Sequence, residues 1–264
     1  MNNLLGKTVE VVEEAGQAIM SYYRDLYSVT EKSPDNPLTD ADMAADALLK
    51  QRLTALLPEA GWLSEETADT PERLEKRFCW VVDPLDGTKE FVLGIPEFTV
   101  SVALVENGLP ILGVILNPAT GELFSGSRGE ASEFNGTRSK TSQATNLFGA
   151  RVDASRSERA RGEFEPFEGI ANVLTMGSIA YKLARVSAGI ADATWSRGPK
   201  NEWDICAGVF LVQESGGCCV DLDGQPITFN RLYPKVNGII ADNNLLHDEI
   251  LKALSPHRST ARVD

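Results

Sequence analysis

Residues 98–127, FTVSVALVENGLPILGVILNPATGELFSGS, constrain the fold more than any other stretch. Two apolar, β-branched runs meet at Asn107-Gly108, a pair suited to closing a hairpin because a type I′ turn needs positive φ at both central positions. The pattern continues through Thr120-Gly121, so an antiparallel meander is predicted. Just upstream, FCWVVD (residues 78–83) is apolar and β-branched and reads as a buried strand whose end is marked by Pro84. Helical spacing precedes it. Leu4, Leu5, Thr8, Val9, Val12, Ala15 and Ile19 recur at three- and four-residue intervals over 4–23, and a second pattern runs from Ala41 to Leu57 before Pro58 and Gly61 stop it.

Beyond Thr141 the pattern weakens, and charged, loop-like sequence is expected as far as Gly169. Order returns with a predicted helix from Ser178 to Gly189, a short strand at DATWS, and a helix over WDICAGVFLVQESGG that ends on its glycines. Helices and meanders in separate blocks imply an α+β or layered αβ arrangement rather than a regular βαβ repeat.

The chain has 264 residues, enough for one large α/β domain or two that share an interface. Its formal charge of −13 opposes binding to a nucleic acid polymer or to anionic lipid. An anionic ligand would therefore need local lysines and arginines, or bound cations, which 38 acids can recruit. No segment approaches the roughly 20 apolar residues of a membrane span, and MNNLLGKTVEVVEEAG lacks the marks of a secretory leader, so no membrane insertion and a cytoplasmic location are expected. Cys79, Cys206, Cys218 and Cys219 include no C-x-x-C and read as buried thiols. The only histidines, His247 and His257, lie near the end, which favours carboxylate chemistry over a histidine mechanism.

The strand 78–83 runs directly into Asp83-Pro84-Leu85-Asp86-Gly87-Thr88. Pro84 fixes a turn and Gly87 lets backbone approach a ligand, so Asp83 and Asp86 can converge on one point. Two carboxylates held that close invite a hard divalent cation, with the Leu85 carbonyl as a further oxygen. A plain β-turn with Asp side chains bonded to backbone explains the same letters. Other acids stand in comparable settings: Glu65 and Glu66 in GWLSEET, Asp40 and Asp42 in NPLTDAD, and Asp204 in NEWDICAG. Each also has a plainer reading, as loop charges, as a capping box from Thr39 to Asp42, and as a favourable charge at a helix start.

In that order, S-E-E-T, D-P-L-D-G-T and W-D-x-x-A-G resemble the three metal-site signatures of the inositol monophosphatase superfamily of Mg²⁺-dependent, lithium-sensitive phosphatases. The resemblance spans most of the chain. It implies a layered αβαβα sandwich, with an N-terminal α+β half over 1–137 and a C-terminal α/β half over 138–264. It implies two or three Mg²⁺ ions held by Glu65, Asp83, the Leu85 carbonyl, Asp86 and Asp204. Thr88 would orient the attacking water with support from Asp42, Glu65 would share in the catalytic centre, and Gly87 would present backbone to the phosphate. Members occur as homodimers and as monomers, and both stay open here.

Three features bear on the substrate. The continuation Asp86-Gly87-Thr88-Lys89-Glu90-Phe91 resembles bacterial 3'(2'),5'-bisphosphate nucleotidases, placing Lys89 near the substrate. Ser178 and Lys182 stand four apart at a predicted helix start and can face a second phosphate, although a cap serine and a surface lysine fit the same spacing. Arg197 stands where inositol monophosphatases tend to place an acid, and an arginine suits a phosphate, with Lys200 a weaker candidate. The resemblance thus points to a small phosphorylated substrate, foremost 3'-phosphoadenosine 5'-phosphate, and to a role in sulfur assimilation. An inositol-1-phosphatase, a broad sugar phosphatase and a cation-binding module without turnover are the alternatives.

Overall fold

The structure is a computed structural model that describes residues 2–24, 27–33 and 36–254; His257 lies outside them. The chain opens with α1 (Asn2–Met20), the antiparallel pair β1 (Val29–Ser33) and β2 (Asn36–Thr39), and α2 (Asp40–Leu56). A seven-stranded sheet follows: β3 (Gly61–Ser64), β4 (Phe78–Asp86), β5 (Thr99–Glu106), β6 (Leu109–Asn117), β7 (Glu122–Ser127), β8 (Glu133–Phe134) and β9 (Thr137–Arg138), adjacent in chain order. The short helix α3 (Thr88–Val92) joins β4 to β5. The meander is present, with β5, β6 and β7 antiparallel in turn.

The second half supplies β10 (Arg151–Ala154), α4 (Arg156–Ala160), β11 (Asn172–Thr175), α5 (Ile179–Ser187), β12 (Ala193–Ser196), β13 (Lys200–Asn201) and α6 (Glu202–Glu214). It ends with β14 (Cys218–Val220), β15 (Lys235–Val236), β16 (Ile239–Asp242) and α7 (His247–Leu254). A five-stranded sheet takes the order β11-β10-β12-β16-β14, while β13 and β15 form a separate ribbon.

Side-chain alternation builds the layers. Trp80, Val82, Val100, Val102 and Val114 face one side of the first sheet and pack on Val12, Ile19, Leu49 and Leu53 of α1 and α2. Their neighbours Cys79, Val81, Ala103, Val105 and Ile115 face the other side, onto the layer formed by Leu183 of α5 and Val209 and Phe210 of α6, which also contacts β16 of the second sheet, the strand of Ile239 and Ala241. That sheet's outer face, with Val152, Trp195 and Ile240, is closed by Phe164, Phe167 and α7's Ile250 and Leu254. The result is the layered αβαβα sandwich. β4 is covered on both faces, which explains its continuous apolar run.

Three expectations are corrected. β4 does not end at Pro84: it continues to Asp86 across a bulge, with Asp83 opposite Ser101 and Asp86 opposite Thr99. A residue without an N–H fits such an interruption of the ladder. The stretch expected to be loop as far as Gly169 contains β10 and α4. Arg151 and Asp153 masked the strand; Asp153 is wholly buried because the Arg185 guanidinium meets it at 2.7 Å. Of the four free cysteines, Cys218 is only half-buried, beside the edge of its sheet near His247.

Candidate active site

The acids gather where β3, β4 and α6 meet. β3 runs parallel to β4 with Ser64 opposite Val82, so the next residue, Glu65, comes alongside Asp83. Its N–H donates to the Val82 carbonyl at 3.3 Å. α6 packs across β4, β5 and β6 and brings Asp204, in its first turn, to the same place. Carboxylate oxygens of Glu65, Asp83 and Asp204 all lie within 4.8 Å of one another. The donors are oxygen alone, without nitrogen or sulfur, which fits a hard divalent cation such as Mg²⁺.

The turn after Asp83 is both a turn and part of this site. Leu85 N–H donates to Asp83 Oδ1 at 3.0 Å. Gly87 has φ +97°, and a Cβ there would sit 2.8 Å from the Glu97 carbonyl, so only glycine lets α3 start at this point. Phe91 anchors α3 in a ring cluster with Tyr23, Tyr27 and Phe98. Thr88 Oγ1 stands 3.1 Å from Asp42 Oδ1 and 3.0 Å from the Leu85 carbonyl. Asp42 also caps α2, its Oδ2 accepting from Thr39 N at 2.8 Å and Thr39 Oγ1 at 2.6 Å. One carboxylate therefore serves both readings of T-D-A-D.

Asp86 is not one of the three converging acids, but it is the nearby charge that acts most strongly on Asp204. Its Oδ2 accepts Ser178 Oγ at 2.6 Å and the Ala180 N–H at 2.7 Å. Burial pushes the Asp86 carboxyl up to about 6, against those two hydrogen bonds and with help from Glu65 and Glu90. Burial, then Asp86 and Glu65, push Asp204 up to about 8. Like charges gathered out of water favour either protons or a cation. In metal-free protein both groups hold stabilising protons well below their raised values, and that contribution is lost as pH rises through about 6 and about 8. The melting temperature of chelator-treated protein should therefore fall as pH is raised from 5 to 8. Added Mg²⁺ should remove that decline, as differential scanning fluorimetry can check.

These groups open on a cavity of about 500 Å³. Of the residues expected from sequence, Glu65, Asp83, Leu85, Asp86, Gly87, Thr88, Lys89, Ser178, Lys182 and Asp204 line it, and Asp42 reaches it through Thr88. Arg197 is not part of the lining; Lys200 and Asn201 are. Ser178 does not offer its hydroxyl to the cavity as a plain phosphate donor, because it donates to Asp86 and accepts the Tyr181 N–H at 2.9 Å. Lys182 is not a surface lysine: it is 2% exposed and pairs with Glu158 at 3.3 Å.

Ser155, Arg156, Ser157 and Glu158, unexpected from the sequence, also line the cavity, with Arg156 Nη1 3.2 Å from Glu90 Oε1. Ser155-x-x-Glu158 is a capping box, and that signal locates α4 but says nothing of a cavity. Burial raises the Glu158 carboxyl, yet Lys182, Lys200 and hydrogen bonds from Ser196 and Ser155 outweigh it and hold the group at about 2.

Among described residues, no helix is long and apolar enough to cross a membrane. A 3'(2'),5'-bisphosphate nucleotidase CysQ of Aggregatibacter actinomycetemcomitans is 32% identical over 89% of this chain and 90% of its own. An inositol-1-monophosphatase of Mesorhizobium japonicum is 31% identical over 95% and 96%. The solved structure of an IMPase from Thermotoga maritima superposes with a TM-score of 0.86 at 28% identity, covering 97% of this chain and 98% of that one. The family model described as the inositol monophosphatase family matches residues 2–259, a span that takes in every acid of the cluster and both sheets, and the chain belongs to that family.

Proposed function

We propose that this phosphatase removes the 3'-phosphate of 3'-phosphoadenosine 5'-phosphate, giving AMP and phosphate. The supporting observation is the balance of charge around the cavity once the four acids are set aside. Among the described residues the rest of the lining holds Lys89, Arg156, Lys182 and Lys200 against Glu90 and Glu158. Counting Glu97, which pairs with Arg156, still leaves this set positive. Two divalent ions would neutralise Glu65, Asp83, Asp86 and Asp204, so a second phosphate on the substrate would meet net positive charge. Pro37, Leu93 and Ile179 offer apolar surface to a base, and among the described residues the lining holds no aromatic ring.

Bound Mg²⁺ would supply Lewis acidity toward the phosphoryl oxygens and lower the pKa of water, the general service of divalent ions in phosphatases. Glu65, Asp83, Asp86, Asp204 and the Leu85 carbonyl would hold two such ions. The chain's own part is orientation. The Thr88 hydroxyl has one proton and two acceptors within reach. Donating it to Asp42 leaves the lone pairs of Oγ1 to accept from a water, aligning that water for attack on phosphorus as the ester bond to the 3'-oxygen breaks.

A phosphate-release assay with Mg²⁺ tests the substrate, comparing 3'-phosphoadenosine 5'-phosphate, inositol 1-phosphate and fructose 1,6-bisphosphate at equal concentration. The bisphosphate nucleotide is expected to be hydrolysed about tenfold or more faster, the effect of one well-placed ionic contact of about 1.4 kcal/mol. A tenfold preference for inositol 1-phosphate would replace this reading with that of an inositol-1-phosphatase.

A further inference from the structure

Ser178 has φ +55° and ψ 118°, outside the regions that side-chain-bearing L-residues ordinarily occupy. Such strain persists only where the surroundings impose it. On one side the Ser178 hydroxyl is tied to Asp86 and to the start of α5. On the other, the preceding Gly177 N–H donates to Glu97 Oε2 at 2.7 Å. Glu97 is itself clasped by Arg156, with Nη1 to Oε2 at 2.6 Å and Nη2 to Oε1 at 3.2 Å. Arg156 also reaches Glu90 Oε1 at 3.2 Å. Glu90 packs so closely on Gly177 that a Cβ there would lie 2.5 Å from its Cγ.

These contacts form one strap, Arg156 to Glu97 to Gly177 to Ser178 to Asp86. It starts on α4, crosses the segment between α3 and β5, and ends on an acid of the site. Both donors at the end of the strap, Ser178 Oγ and Ala180 N–H, fall on the same oxygen, Oδ2. Oδ1 is thereby the oxygen of Asp86 left to a cation. Neighbours that orient a ligating carboxylate tune the metal as much as the ligand does.

We propose that Glu97, clasped by Arg156, is a positioning residue that holds the strained Ser178 and so fixes which oxygen of Asp86 faces a bound cation. The proposal rests on the reading of Asp86 as a cation ligand. It gives the Lys89-Glu90-Phe91 motif a further role, since Glu90 steadies both Arg156 and Gly177.

The test is Mn²⁺ binding to the whole protein, followed by the loss of the free-ion EPR signal, with thermal melting as a check on folding. Glu97→Gln is expected to weaken Mn²⁺ binding about tenfold while leaving a cooperative melt. Arg156→Lys, which keeps the charge but loses the two-pronged grip, should give a smaller loss. Asp86→Asn should weaken binding more than either, and the double variant with Glu97→Gln should bind as Asp86→Asn does alone. A general structural role for Glu97 would weaken binding in the Asp86→Asn background too, and that additive result would overturn the proposal. So would unchanged Mn²⁺ affinity in Glu97→Gln when Asp86→Asn is impaired. Unchanged affinity in Asp86→Asn would instead overturn the ligand reading beneath it.

Discussion

Asp83→Asn is expected to weaken divalent-cation binding by about 100-fold or more and to reduce phosphate release to background, the largest loss of any single change here. Asp83 is 1% exposed, sits just before the bulge in a strand covered on both faces, and belongs to the three-acid cluster with Glu65 and Asp204. Asparagine preserves the shape and one acceptor but removes a unit of charge from a place where water cannot compensate. The fold should survive. Asp83 Oδ1 accepts the Leu85 N–H, and an amide oxygen can do the same. Removing one of several crowded negative charges also relieves repulsion in metal-free protein, so its melting temperature should hold or rise. Calorimetric titration with Mn²⁺ and a phosphate assay separate these effects.

Thr88→Ala is expected to act differently, lowering phosphate release about 10²- to 10⁴-fold while leaving cation affinity within a few fold. Its hydroxyl lies within hydrogen-bonding distance of Asp42 and of the Leu85 carbonyl, and no carboxylate of the three-acid cluster depends on it. Alanine at the first position of α3 suits the helix, so folding should be spared. Thr88→Ser, which restores the hydroxyl, should recover most of the rate.

Much of this site was legible in the sequence because each acid sits next to a strong local signal. Asp83 ends an apolar run, Asp42 closes a capping box, and Asp204 stands in the first turn of an apolar helix. The plainer readings of Asp42 and Asp204 hold, since both carboxylates accept backbone N–H groups at helix starts. The proposed function would use the same atoms, which is why neither reading could displace the other from sequence alone.

One part of the cavity lining was illegible for a physical reason. Ser155 to Glu158 reach the cavity only because β10 lies between β11 and β12, a placement fixed by contacts distant in the chain. β10 itself hid behind Arg151 and Asp153, whose charges are met by Asp192 and Arg185. Arg197 looked apt by its distance from Asp204 along the chain, but the intervening residues enter the β13–β15 ribbon, and it is Lys200 and Asn201 that line the cavity. Lys182 was expected at a helix start near an anion; its partner Glu158, from a segment expected to be loop, could not be foreseen.

The central claim is that an oxygen-lined acid cluster binds divalent cations and that Thr88 and Asp42 turn this binding into phosphoester hydrolysis. Its most direct test is to measure Mn²⁺ affinity and phosphate release from 3'-phosphoadenosine 5'-phosphate on the same samples of wild type, Asp83→Asn and Thr88→Ala. The account predicts that Asp83→Asn loses both, while Thr88→Ala binds Mn²⁺ nearly as wild type does and releases almost no phosphate. Phosphate release by Thr88→Ala at the wild-type rate, or tight Mn²⁺ binding by wild type with no phosphate released at all, would contradict it.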